Sequence, residues 1–79
     1  MATRARNECV RCAKIGEKAV GAVGFSTEPD ELATSIYDLV ADLLHLAREN
    51  DIEPDYILHM AQLHFDAEVM DEYDAANLE

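Results

Sequence analysis

Between residues 32 and 50 the chain reads LATSIYDLVADLLHLAREN, and its apolar positions fall on two helical rows. One row is Leu32, Ile36, Leu39, Leu43 and Leu46; the other is Ala33, Tyr37, Val40, Leu44 and Ala47. At about 100° per residue these rows lie side by side and cover roughly half the circumference of a helix. Ser35, Asp38, Asp42, His45 and Glu49 take the remaining face. A second helical pattern follows. Its main row is Tyr56, Met60, Leu63, Ala67 and Met70, flanked by Ile57, Ala61 and Phe65, with Leu58 and Val69 further round. Asp55, His59, Gln62 and Asp66 form its polar face.

Local signals set the ends. Ser26 or Thr27 is placed to cap the first helix, Pro29 suits its first turn, and Asp30 and Glu31 add charge where the dipole favours it. The spacing predicts a helix over 29–50. Pro54 opens a second helix, with Asp51 or Glu53 near its cap, running to 73 or beyond. A link as short as Asp51-Ile52-Glu53 places the two helices antiparallel. Before them, Gly16, Gly21 and Gly24 stand among Val and Ala, a glycine density that disfavours helix. The expectation there is an irregular or β-like segment, in which Lys18–Phe25 makes a short strand or hairpin or simply lies across the helices.

The fold class predicted is therefore all-α, an antiparallel helical hairpin. Each helix has more apolar circumference than one partner covers, and a hairpin of this length is insecure alone. Two remedies present themselves. Two hairpins pair about a two-fold axis as a four-helix bundle, or residues 10–27 fold back as a third layer. The pairing into a dimer is the reading preferred here.

Charge divides the chain into a basic N-terminal arm, 1–27, and an acidic hairpin, 28–79. Residues 1–24 hold Arg4, Arg6, Arg11, Lys14 and Lys18 against Glu8 and Glu17, a net of +3. Residues 25–79 hold Arg48 against fifteen Asp and Glu, a net of −14, which together give the −11 of the whole chain. A field of this sign repels nucleic acid and anionic membranes and favours a basic protein surface. Asp38, Asp42, Glu49, Asp66, Glu68, Asp71 and Glu72 are the candidate partner-binding residues. The plainer alternative is that the acids only keep an apolar bundle soluble. No run of about 18 apolar residues and no apolar leader stands in the sequence, so the expected location is cytoplasmic.

Candidate chemistry is sparse. Cys9-x-x-Cys12 reads as a knuckle able to present two thiolates to zinc, with His45, His59 or His64 as further ligands. Reduced structural thiols and redox chemistry are the competing readings, the latter helped by Arg11 and Lys14 beside the thiols. Each histidine also has an ordinary structural reading, with His64, between the apolar rows, the one expected to be partly buried. No Ser/His/Asp triad, phosphate loop or dinucleotide fingerprint is present.

Three resemblances bear on function. Glu28-x-x-Glu31 and Glu68-x-x-Asp71 resemble the paired acids with which all-α nucleotide pyrophosphohydrolases of the MazG type bind magnesium, although the pairs stand further apart than in that family. The resemblance implies a small metal-dependent hydrolase. Asp42-Leu43-Leu44-His45 with the later His64-Phe65-Asp66-Ala67-Glu68 resembles a pattern in small uncharacterised proteins encoded by phages and other mobile elements, over residues 38–70. In size and charge the chain is also similar to small acidic phage inhibitors such as anti-CRISPR proteins. That likeness implies a non-enzymatic inhibitor occupying the basic groove of a nucleic-acid-binding host complex. A zinc-binding adaptor whose basic arm touches nucleic acid is a further possibility.

Overall fold

The computed structural model describes the backbone of residues 2–78 and the side chains of residues 9–71. Three helices follow in order: α1 over Ala2–Ala22, α2 over Leu32–Glu49 and α3 over Pro54–Leu78, with no strand among the described residues. α2 and α3 follow each other over a short link and touch, and the all-α expectation holds, with three helices where two were expected. The β-like N-terminal segment does not hold. Residues 18–22 complete α1, and Cys9 and Cys12 lie one turn apart on that helix rather than in a knuckle. Two interior glycines cost a helix about 1 kcal/mol each. α1 forms despite that cost; Cys9, Ala13, Gly16 and Val20 recur at helical spacing as one stripe of small side chains, of which Val20 is buried and Ala13 and Gly16 stay exposed. α1 packs mainly against α3 and only lightly against α2.

The first helix ends by a chain reversal written in hydrogen bonds. The Phe25 amide donates to the Val20 carbonyl at 3.1 Å and the Gly24 amide to Gly21 at 3.0 Å, with Gly24 at φ +87°. This is the Schellman pattern, and glycine occupies the one position that needs a left-handed backbone. α2 ends in the same way. The Ile52 amide donates to Ala47 at 2.9 Å and Asp51 to Arg48 at 3.2 Å, with Asp51 at φ 59°. In both motifs the residue that accepts the bond spanning five residues is buried. Val20 and Ala47 are the two buried apolar residues among those described.

α2 begins at Leu32, three residues later than its spacing suggests. Pro29 sits in a turn closed by the Glu31 amide donating to the Glu28 carbonyl at 2.9 Å, a position that proline favours. Ser26 serves this turn instead of the helix amides. Its hydroxyl accepts from the Glu28 amide at 3.1 Å and donates to Glu31 Oε1 at 2.8 Å. The Ser26 carbonyl accepts from the Ser35 hydroxyl at 2.7 Å. Ser35 is thereby buried, not on the solvent face that its polarity suggests. α3 begins at Pro54 as expected, with the Glu53 carbonyl accepting the first helical amides.

The molecule is open for its size. Its radius of gyration is 14.8 Å, against about 12 Å for a compact chain of this length. Its accessible surface is 6528 Å², against about 4,800 Å² for a compact monomer of this mass. α1 does fold back on α3 as a third layer, yet among the described residues fourteen large apolar side chains stay exposed, Ile36, Leu43, Leu46 and Phe65 included.

Candidate functional site

A groove of about 860 Å³ lies between α1 and α2, with residues of α3 as its floor. The small-residue stripe of α1 forms one wall, with Cys9, Ala13, Gly16 and Val20. Leu32, Ile36, Leu39, Val40 and Leu43 of α2 form the other, and Phe65 and Val69 lie between. Its few charged groups are Lys14 and Glu17 on α1 and Glu68 on α3. An apolar trough with charge only at its edge suits a helix or another apolar surface better than a polar small molecule.

The candidate partner-binding acids distribute over several faces. Asp38, Asp42 and Glu49 are exposed and share one face of α2, four and seven residues apart. Asp66 is exposed on a different face of α3 and accepts from Gln62 Nε2 at 2.9 Å. Glu68 borders the groove and Asp71 is exposed beyond it. Glu72 lies outside the residues whose side chains are described. The acids of α2 are thus together, and those of α3 are not gathered with them.

Cys9 is half-buried, and its thiol donates a weak bond to the Glu68 carbonyl at 3.7 Å. Cys12 is exposed, and the two cysteines are not joined by a disulfide. His45, His59 and His64 are all exposed, His64 included, because the face it occupies on α3 is left uncovered. Among the described residues no three His, Cys, Asp or Glu side chains converge as metal ligands. That statement covers both the zinc set and the acid pairs Glu28/Glu31 and Glu68/Asp71. Among the described residues, too, every buried polar side-chain atom has a hydrogen-bond partner, so none is left aimed at an absent ligand.

The groove is not among the features expected from the sequence. The groove needs α1 to be a helix, and the 9/13/16/20 spacing was the available signal for it. Tyr56, Leu63 and Met70, from the main apolar row expected for the second helix, stay exposed as an outer stripe of α3 that does not line the groove. No helix of the described residues is long and apolar enough to cross a membrane. Comparisons with protein-family models, with curated proteins and with solved structures found no match.

Proposed function

We propose that this protein is a non-enzymatic interaction module. Copies associate through their apolar faces and present an acidic exterior to a basic protein surface. The observation that carries this reading is the imbalance of burial. Val20 and Ala47 are the buried apolar residues described, while Ile36, Leu43, Leu46, Phe65 and ten other large apolar side chains are exposed. Ile36, Leu43, Phe65 and Val69 among them line one groove, and apolar surface gathered in this way is a common mark of an interaction site. The acidic face of α2, with Asp38, Asp42 and Glu49, supplies the steering field, and the net charge of −11 gives it range. A basic groove made for nucleic acid is the kind of surface that fits, in keeping with the inhibitor resemblance.

Salt tests this. The Debye length shrinks from about 30 Å at 0.01 M to about 8 Å at 0.15 M, so affinity for a basic partner falls steeply over that range. The triple variant Asp38→Asn, Asp42→Asn, Glu49→Gln lowers the association rate by on the order of tenfold while leaving helicity intact. Binding that ignores both salt and these substitutions overturns the reading.

A further inference from the structure

We infer that the groove between α1 and α2 is a dimerisation face, and that α2 of a second copy of this chain fills it, reciprocally about a two-fold axis. This rests on the reading of the chain as a self-associating module and names the surface and the occupant.

Area is the first argument. The chain exposes 6528 Å², roughly 1,700 Å² above what a compact monomer of its mass exposes. Stable homodimers bury on the order of 2,000 Å² or more in total, about half from each copy. The surplus on one chain is therefore enough for an interface of that class.

Shape is the second. A two-fold pair brings the same patch of both copies together, so the patch must hold both a hollow and a matching ridge. This one does. The groove is the hollow, and its α2 wall carries Ile36, 48 % exposed, and Leu43, 50 % exposed, as a ridge beside it. Small side chains on the α1 wall, Ala13 and Gly16, leave room for a helix to approach closely, and a Cβ built on Gly16 meets nothing within 4 Å.

Charge is the third. Two chains of net −11 repel, so their contact must carry compensation. α1 supplies it: Arg11, Lys14 and Lys18 are exposed at i, i+3 and i+7 on one stripe, with Lys14 at the groove edge. Seating α2 of one copy in the groove of the other by its Ile36/Leu43 ridge leaves this cationic stripe beside the contact and turns Asp38, Asp42 and Glu49, on the opposite face of α2, outward and away from the seam.

The test uses the full chain under reducing conditions. Sedimentation at micromolar concentration gives a two-chain mass for the natural sequence. Ile36→Arg and Leu43→Arg each weaken pairing at least about a hundredfold, because each puts two charges into one apolar contact. Leu63→Arg, on the outer stripe of α3, keeps the two-chain mass. Circular dichroism checks that the variants stay helical. The natural Cys12 gives a readout free of substitution: it lines the groove, so its alkylation by a maleimide slows at least about tenfold as concentration is raised through the pairing range. A two-chain mass that Leu63→Arg abolishes, with Cys12 reacting at one rate throughout, overturns this inference and leaves self-association standing. A one-chain mass at all concentrations overturns both.

Discussion

The two joints of this molecule are built alike and lead to opposite outcomes. α1 and α2 both end in the same hydrogen-bonded reversal, each folded back over one buried apolar residue, Val20 in the first and Ala47 in the second. After Ala47 the chain needs only Asn50–Glu53 to turn, and α2 and α3 close on each other at the hairpin end, with Leu44, Ile57 and Met60 half-buried there. After Ala22 the chain takes nine residues to reach α2, and the two helices it joins scarcely touch. A short link holds helices together as neighbours, whereas a longer one lets α1 choose α3. The groove is the space this choice leaves behind. What the difference teaches is that a helix terminus sets where a chain turns, while link length and side-chain size decide what it packs on.

The comparison can be broken most severely at the closed joint. Ala47→Asp places a carboxylate in a buried position with no cation provided for it. A loss of about 3 kcal/mol or more is expected, read as the disappearance of a cooperative thermal transition. A stable, cooperatively melting variant would show that the hairpin seam is not what holds α2 to α3. The two reversals can then be set against each other. Gly24→Ala forces a side chain into a left-handed backbone and should cost about 1–2 kcal/mol, whereas Asp51→Gly relieves the equivalent position and should gain up to about 1 kcal/mol. Urea melts of the pair should move in opposite directions; shifts of one sign would mean the two ends are not equivalent. The smallest effect sharpens the account of α1. Gly21 lies in the helix with nothing within 4 Å of an added Cβ, so Gly21→Ala should stabilise by about 0.5–1 kcal/mol. An unchanged midpoint would indicate that α1 contributes little to the cooperative unit.

The sequence made the hairpin legible and hid the groove, and particular residues show why. Pro54 can open a helix but not continue one, and the apolar rows of residues 32–47 and 56–70 have only one regular period, so two of the three helices were readable. α1 was obscured because its glycines speak against helix locally, while the stripe Cys9, Ala13, Gly16 and Val20 speaks for it only once a partner surface exists. Ser35 was misplaced for a similar reason. Polarity assigned it to water, yet the Ser26 carbonyl satisfies its hydroxyl in the interior. Asp51 gave no sign of its left-handed backbone, which aspartate tolerates better than most residues. The acids were plain in number, but their sharing of a face on α2 and dispersal on α3 follows from helix phase and from what each helix packs against.

Each reversal is made of hydrogen bonds reaching no more than five residues back. Neither therefore depends on the angle at which distant helices cross. A substitution that alters how α1 or α2 lies on α3 leaves both corners standing, and each helix still stops where Gly24 or Asp51 turns the backbone.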